Sequence, residues 1–441
     1  MSEAVGVAPV AGEALDALVT VLDLVRFRGV TTRPELSRRS GLGRTVVADR
    51  VAQLLASGLL SEGPHAPSTG GRPARALKFR AEAGNILVTE VGATSLKAGI
   101  ADLAGTVLTC CEEPCDITAG PDPVLRRAEE LIDDMLAKRS PQDAPIWGVG
   151  IGLAGPVEYS VGRPVAQPGR PGWVGYPVRD RLARRYDVPV WVDNDTNLMA
   201  LGELRLGVAR GERDVVFIKI GTGIGIGLIS GGHLHRGAHG VAGEAHVTVV
   251  DDDSVICRCG NAGCVDALAA GAALGRLATN AARDGRSLFL ARLLAESDSD
   301  VLEASDLGNA ALYGDTFAAE VFGQTGQHIG SMLATLVNFF NPSLVVIGGD
   351  VASVGDLLLA SIRETVYRRA LPLATRDLRI VPSTLAGMSG LHGAAFVVID
   401  ELFSRERLPL WISHGSPAHH PEIAGASVGP VDDEFPSPAY A

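Results

Sequence analysis

The chain has 441 residues, of which 46% are apolar and 20% are charged, and its formal net charge is −12. This composition excludes a disordered chain, and the length predicts two or three domains. No uninterrupted apolar run reaches the roughly 18 residues of a membrane span. The N-terminus lacks the basic start and continuous apolar core of a signal peptide, so we expect a cytoplasmic protein.

The charge is unevenly distributed along the chain. Residues 33–80 carry a net charge of +6, and the rest of the chain therefore carries −18. A basic module joined to an acidic body indicates a polyanionic partner for the module. The alternative is a chance cluster of solvated arginines.

The sequence predicts three short helices between residues 13 and 58. Residues 13–29 have apolar residues at helical spacing and end at a glycine. Thr32 and Glu35 predict a capping box for the next helix, which Gly41 ends. A third helix follows Gly43, with one apolar face and an end at Gly58.

Two helices joined by a turn with glycine, followed by two short strand-like runs, are typical of a winged helix-turn-helix. The segments LLSEG (59–63) and ALKFR (76–80) are the predicted strands of the wing. Between them lies STGGRPAR (68–75), for which the alternative is a solvated linker. The predicted DNA contacts are Arg44, Thr45, Ala48 and Asp49 on the third helix, and Arg72 and Arg75 at the wing tip.

The rest of the chain alternates strands and helices in two similar halves, which predicts an α/β fold. We place the DNA-binding domain at 12–80, a first lobe at 84–202 and a second lobe at 203–405. Residues 414–441 are rich in Pro, Gly, Ser and acids, and this composition predicts a disordered tail.

Each half contains one glycine-rich turn directly after a strand. These are EVGAT (90–94) and KIGTGIGIG (219–227). Backbone N–H groups in such turns bind anions, and threonine adds a hydroxyl donor. One turn alone could serve hairpin geometry only, but a matched pair is how a cleft between two lobes holds the phosphates of ATP.

The segment VDNDTN (192–197) places Asn194 and Asp195 at a strand end. There Asp195 can act as general base toward a sugar hydroxyl while Asn194 holds neighbouring hydroxyls. The alternative is that Asp195 or Thr196 caps the next helix.

Three cysteines have metal-ligand spacing. Cys257, Cys259 and Cys264, with His246 upstream, offer three thiolates and one imidazole, which is a closed tetrahedral set for structural Zn²⁺. A closed set leaves no position for water, which excludes a zinc hydrolase. The alternative is three buried free cysteines.

These motifs together resemble the ROK family, which groups transcriptional repressors with sugar kinases. The resemblance covers roughly residues 13–405 and rests on TGGRPAR, EVGAT, GLAGPV, PGW, VDNDTN, IGTGIGIG, GVAGEAH, CRCGNAGCVD and VVIGGDV in that order. It implies a two-lobed, actin-like sugar-kinase fold behind the winged helix-turn-helix, assembled as a homodimer or a dimer of dimers.

The resemblance also implies roles for individual residues. Sugar-binding positions are Asn194, Asp195 (the base in the family's kinases), Glu244, His246 and Asp266, and phosphate-binding positions are Glu90, Gly92, Thr94, Gly221, Thr222, Gly223 and Gly225. His246 would also bind zinc.

Some positions depart from the family pattern. Glu90 stands where the family has Asp, which shifts any Mg²⁺ of Mg-ATP, and Ala93 stands where it has Gly. The family's Gly-Glu-x-Gly-His is one residue shorter here, as GEAH (243–246), and Asp266 replaces a Glu.

The sequence therefore predicts a sugar-responsive DNA-binding regulator, most simply a repressor. Its partners are double-stranded operator DNA and a sugar or sugar phosphate, and no membrane is expected. The alternative function is an ATP-dependent sugar kinase that retains a DNA-binding arm. The extra basic residues at the N-terminus favour the regulator, because a kinase does not need them.

Overall fold

The computed structural model describes residues 11–65, 75–140, 142–165, 169–244, 255–257, 259–354, 356–417 and 423. Two predicted site residues, Arg72 and His246, lie outside the described residues. So does most of the predicted tail, of which residues 414–417 and 423 are described. Ile423 is buried in a hydrophobic core.

Three helices and a hairpin form the N-terminal module. They are α1 (Ala11–Arg28), α2 (Arg33–Ser40), α3 (Arg44–Ala56), β1 (Leu60–His65) and β2 (Arg75–Phe79), and the two strands pair antiparallel. This is the element order predicted for a winged helix-turn-helix. Its core includes Val47, Val51 and Leu54 on the inner face of α3.

The start of α2 differs from the prediction in one detail. Thr32 is the N-cap residue, but its side chain accepts no capping hydrogen bond, and the predicted capping box is wrong. The Glu35 carboxylate pairs with the Arg39 guanidinium at 2.9 Å instead. Gly41 ends the helix with a φ of 73°, as its position predicts, because glycine enters the left-handed region without a steric penalty.

The first lobe is built on a five-stranded sheet. Its spatial order is β5-β4-β3-β6-β9, in which β3, β4 and β5 form an antiparallel meander and β6 and β9 run parallel to β3. Its elements are β3 (Asn85–Val91), β4 (Ser95–Asp102), β5 (Val107–Pro114), α4 (Pro121–Leu136), β6 (Ile146–Leu153), β7 (Val157–Glu158), β8 (Arg163–Pro164), α5 (Val178–Tyr186) and β9 (Val190–Asn194).

The second lobe repeats this topology. Its sheet has the order β12-β11-β10-β13-β14, again a meander followed by two parallel strands. Its strands are β10 (Val215–Ile220), β11 (Ile224–Ser230), β12 (His233–Leu234), β13 (Leu344–Gly348) and β14 (Arg379–Pro382). Its helices are α7 (Val265–Ala269), α8 (Gly271–Arg283), α9 (Leu288–Glu296), α10 (Ala304–Leu312), α11 (Thr316–Phe340), α12 (Asp356–Arg369) and α13 (Pro372–Thr375). The repeat confirms the predicted α/β fold with two similar halves.

Two helices cross between the lobes. The helix α6 (Asp195–Arg205) follows the last strand of the first sheet and packs on β10 and β11 of the second. The helix α14 (Ser389–Leu402) follows the last strand of the second sheet and packs on β3 and β6 of the first. The predicted boundary between residues 202 and 203 therefore falls inside α6.

The C-terminal segment fastens the N-terminal module to the body. After α14 come α15 (Leu408–Trp411) and a short 3₁₀ turn, and Trp411 is fully buried against Trp147 of β6. The Phe403 ring makes an edge contact with Phe79 of β2, at 6.3 Å between ring centroids. The module and the body consequently share one hydrophobic core.

None of the described helices is both long enough and apolar enough to cross a membrane.

Candidate functional site between the two sheets

An open cleft lies between the two lobes. Both predicted glycine-rich turns line it, because each lies between the first two strands of its sheet, at the same position in each lobe. The cleft-lining members of the predicted phosphate and sugar sets are Gly92, Thr94, Asn194, Asp195, Gly221, Thr222, Gly223, Gly225, Glu244 and Asp266. Glu90 is buried just behind the first turn. The fold thus brings the described predicted residues of these sets together.

Each turn is held by an internal hydrogen bond. The Gly92 N–H donates to the Ser95 carbonyl at 2.8 Å, and the Gly221 N–H donates to the Gly223 carbonyl at 3.0 Å. The start of α8 is fixed to the second turn, where the Gly271 N–H donates to the Gly221 carbonyl at 2.7 Å. The N-terminus of α8 therefore lies beside the second turn, and such an end favours anions.

Asn194 caps α6, and this differs from the alternative prediction that Asp195 or Thr196 does so. Its Oδ1 accepts from the Thr196 N–H at 2.9 Å and from the Asn197 N–H at 3.1 Å. Its Nδ2 donates to the Gly155 carbonyl at 2.8 Å. The cap fixes the first turn of α6 in the cleft and leaves the Asp195 side chain for another role.

Asp195 is ion-paired. Its Oδ2 lies 2.7 Å from the ammonium of Lys219, which projects from β10 into the cleft. Burial alone would lower the pKa of Lys219, but the Asp195 and Glu90 carboxylates outweigh it and raise that pKa. Burial raises the pKa of Glu90, against the opposing effect of Lys219, and Glu90 Oε2 makes no hydrogen bond. Two buried acids and one partly buried lysine thus form a charged cluster.

A second, partly buried ion pair lies beside the first. The Asp193 carboxylate accepts from Arg236 Nε at 2.7 Å and from Asn197 Nδ2 at 2.9 Å. The Arg236 guanidinium also stacks on the Tyr159 ring, 3.8 Å from its centroid. Arg236 follows β12, so this pair joins the last strand of the first sheet to the loop that leads to Glu244.

That loop approaches the second sheet closely. A Cβ on Gly243 would lie 2.0 Å from the Ile226 carbonyl oxygen, and its φ is 100°. Only glycine fits both conditions, which explains the residue that precedes Glu244. Glu244 faces the cleft, and the described part of the loop ends there.

The three cysteines meet at one point. The sulfurs of Cys257, Cys259 and Cys264 all lie within 4.8 Å of one another, and those of Cys259 and Cys264 are 3.5 Å apart. A hydrogen bond from the Asn261 backbone lowers the pKa of the Cys259 thiol to about 7, which favours the thiolate that binds metal. Three converging thiols fit a metal ion, and they lie next to the cleft, which Cys257 and Cys259 line.

Asp266 connects the cysteine cluster to the second turn. Cys264 is the N-cap of α7, and Asp266 lies in the first turn of that helix. The Asp266 Oδ1 accepts from the Ile224 N–H at 2.8 Å. The predicted sugar contact is therefore also a support for the turn and for the start of β11.

The predicted DNA-contact residues on α3 form an exposed surface. Arg44, Thr45, Ala48 and Asp49 are all exposed on its N-terminal turns. Arg75, at the first residue of β2, is also exposed, and its guanidinium lies 3.4 Å from the Glu62 carboxylate. The N-terminal turns of α3 and the described base of the wing are therefore both exposed to solvent.

Sequence reasoning missed Lys219, Asp193 and Arg236. A signal for the first was present, since a lysine within the apolar strand VVFIKI needs a charged partner when the strand is buried. Asp193 belongs to the VDNDTN motif, but a strand position gave no hint of a partner 43 residues away.

The model of the ROK family matches residues 86–401. The chain belongs to the ROK family. It is 28% identical over 389 residues to a xylose repressor of Caldicellulosiruptor bescii, which covers 88% of this chain and 95% of the relative.

Two solved structures extend the comparison. A ROK family transcriptional regulator, a homologue of the E. coli Mlc protein, superposes with a TM-score of 0.78 at 25% identity and covers 91% of this chain and all of its own. A ROK family glucokinase from Streptomyces griseus, in complex with glucose and AMPPNP, is 32% identical with a TM-score of 0.64. It covers 71% of this chain and 99% of its own. The regulator thus matches a larger share of this chain than the glucokinase does.

Proposed function

We propose that this ROK protein is a sugar-responsive transcriptional repressor. The N-terminal module binds operator DNA, and the cleft between the lobes binds a sugar or sugar phosphate. The observation that carries the proposal is the module itself. It exposes the N-terminal turns of α3 and packs on a complete kinase-like body.

The similarity to known regulators supports the proposed repressor function. The repressor and the Mlc homologue match 88% and 91% of this chain, whereas the glucokinase matches 71%. Operator binding places the protein with the chromosome in the cytoplasm. A helix-turn-helix commonly reads two half-sites as a dimer, so we propose a homodimer, or a dimer of dimers, on a palindromic operator.

The position of each residue in the module or in the cleft suggests its role. Arg44, Thr45, Ala48 and Asp49 would face the major groove, and Arg72 and Arg75 would contact phosphates or the minor groove from the wing. In the cleft, Asn194, Asp195, Glu244, His246 and Asp266 would contact the sugar. The glycine turns would face any phosphate.

We also propose that the cysteine cluster holds structural Zn²⁺, with His246 as the fourth ligand. Four protein ligands would close the site to water. The metal would supply no chemistry beyond fixing the loop between Glu244 and Asp266. The cleft chemistry itself falls to the chain's own residues, which orient the sugar through carboxylates and backbone N–H groups.

A second candidate is an ATP-dependent sugar kinase with a DNA-binding arm. The glucokinase relative, the Asp195 position and the second glycine turn support it. Against it stand Glu90 and the ion pair between Asp195 and Lys219.

Substitutions in the wing test the proposal that this protein binds operator DNA. An operator is first selected from a random duplex library with the full-length protein, and binding is then measured by fluorescence anisotropy across a salt series. Arg72→Ala with Arg75→Ala should weaken binding and lower the slope of log K against log[salt] by up to about two. The matched control is Arg376→Ala, an exposed arginine of the body. Unchanged binding by the wing variant at every salt concentration would remove the wing from the DNA interface.

A further inference from the structure

Glu90 and Lys219 occupy equivalent positions in the two lobes. Glu90 lies on β3, two residues before Gly92 of the first turn, and Lys219 lies on β10, two residues before Gly221 of the second. The two strands have the same place in their sheets. The internal repeat has therefore placed an acid and a base at matching points on opposite sides of the cleft.

The hydrogen bonds of Asp195 leave it little capacity as a base. Its Oδ1 accepts from the Thr196 N–H at 2.7 Å and from the Thr196 hydroxyl at 3.2 Å, and its Oδ2 accepts from Lys219 at 2.7 Å. A carboxylate has about four acceptor sites, so roughly one remains for a sugar hydroxyl. The ammonium of Lys219 therefore takes up an acceptor site of Asp195 that would otherwise face a sugar hydroxyl.

The Lys219 ammonium acts electrostatically on two acids, Asp195 and Glu90. The Lys219 ammonium lies 2.7 Å from Asp195 and also interacts electrostatically with the buried Glu90. In phosphoryl transfer, the metal ion that accompanies the nucleotide brings positive charge to the site. A divalent cation next to a fixed ammonium is repelled, and without the metal the nucleotide phosphates lose their main attraction to an acidic cleft.

We propose that Lys219 is a built-in counter-ion that supplies the positive charge a metal ion would otherwise bring to this cleft, so that the protein binds a sugar without nucleotide and transfers no phosphate to it. The inference rests on the proposed function, because it assumes that the cleft binds a sugar. It deepens that function by assigning Lys219 as a positioning residue. Through its 2.7 Å contact, Lys219 orients Asp195 as an acceptor for one sugar hydroxyl.

Metal binding tests the proposal directly. Mn²⁺ is titrated into zinc-saturated full-length protein and followed by electron paramagnetic resonance. The wild type and Lys219→Arg should show no Mn²⁺ site in the cleft. Lys219→Met removes the ammonium that pairs with Asp195 and should create a Mn²⁺ site at least about tenfold tighter than any binding by the wild type. Adding Asp195→Asn to Lys219→Met should remove that site.

A second measurement needs no variant. Calorimetric titration of the wild type with D-glucose and D-xylose, with and without Mg²⁺ and AMPPNP, should give the same sugar affinity in both conditions. A coupled assay with Mg-ATP should detect no sugar phosphate. Sugar phosphorylation by the wild type, or equal Mn²⁺ affinity in the wild type and Lys219→Met, would overturn the proposal.

The two proposals fail in different ways. If the selected operator is bound and released in response to sugar while the wild type also phosphorylates that sugar, the regulator stands and the role of Lys219 is wrong. If no operator is bound but the Mn²⁺ pattern is as expected, the role of Lys219 stands and the regulator is wrong.

Discussion

Glu90 shows how one residue sets the electrostatics of the cleft. It is 4% exposed, and one of its carboxylate oxygens has no hydrogen-bond partner. Burial raises the pKa of Glu90, and the ammonium groups of Lys219 and Lys97 oppose that rise without cancelling it. With both acids ionised, the three-residue cluster carries one excess negative charge in a buried position.

This charge predicts a pH-dependent stability. Burial raises the pKa of Glu90 above its ordinary 4.5, so this group stabilises the fold below that pH, and the contribution is lost as pH rises through the raised pKa. Glu90→Gln should remove this dependence and raise the free energy of unfolding at neutral pH by about 1 to 3 kcal/mol. Urea unfolding across a pH series measures it.

The control for this prediction is Glu112→Gln. That carboxylate is exposed on β5 and lies 3.5 Å from Lys97, so its loss should change stability by less than about 1 kcal/mol. Parallel pH curves for the wild type and Glu90→Gln would show that Glu90 is not the group responsible.

The cysteine cluster gives a second prediction at the same scale. Cys259→Ser removes one of three converging sulfurs and should release zinc and lower the melting temperature, because a structural site contributes folding energy. Zinc content by atomic emission and melting by calorimetry measure both effects. Cys110→Ser, an exposed cysteine outside the cluster, should keep full zinc. Full zinc and unchanged melting in Cys259→Ser would refute the metal site.

At the scale of elements, the two crossing helices depend on glycine. A Cβ on Gly393 of α14 would lie 1.7 Å from the Leu198 carbonyl of α6, and one on Gly202 of α6 would lie 2.1 Å from the Ser389 carbonyl. The strands under these helices follow the same rule, since a Cβ on Gly150 of β6 would lie 1.9 Å from the Ala394 carbonyl. The absence of side chains lets the backbones approach and joins the lobes.

Gly393→Ala should therefore destabilise the protein by about 3 kcal/mol, because no flexible neighbour can yield to the new methyl group. The matched control is Gly323→Ala in α11, where a Cβ meets nothing within 4 Å. Since alanine is the better helix former, the control should gain up to about 1 kcal/mol. Chemical denaturation compares the two, and equal stability would show that α6 and α14 can separate without cost.

At the scale of the whole molecule, α6 connects the cleft to the N-terminal module. It starts at Asp195 and ends at Arg205, so it spans about 16 Å. The Arg205 guanidinium pairs with Asp400 of α14 at 2.6 Å and stacks on Phe27 of α1, 5.3 Å from the ring centroid. A shift of α6 in the cleft would thus reach the DNA-binding module through one rigid element.

Breaking this contact should uncouple the two sites. Arg205→Ala should keep most of its operator affinity without sugar, but the change in operator affinity on adding sugar should shrink about fivefold or more. Operator titrations with and without the effector sugar measure this coupling. Arg405→Ala, which loses a half-exposed ion pair with Asp16, is the control and should couple normally. Full coupling in Arg205→Ala would show that the signal takes another route.

Much of this architecture was already present in the sequence. Hydrophobic periodicity and glycine positions predicted the three N-terminal helices, the α/β body and the two glycine-rich turns, because these signals act over a few neighbouring residues. The order of the motifs predicted the ROK family. The spacing of the cysteines predicted a cluster, and the three sulfurs converge.

Only the tertiary structure decided how the site is charged. Lys219 and Asp195 are 24 residues apart, and Arg236 and Asp193 are 43 apart, so no local pattern reveals either pair. The exchange of α6 and α14 between the sheets is likewise invisible in the sequence, because it depends on packing between distant strands. Short-range sequence signals determined which helices, strands and turns form and which residues line the cleft. Long-range contacts decided which of the charged side chains in the cleft are held in ion pairs.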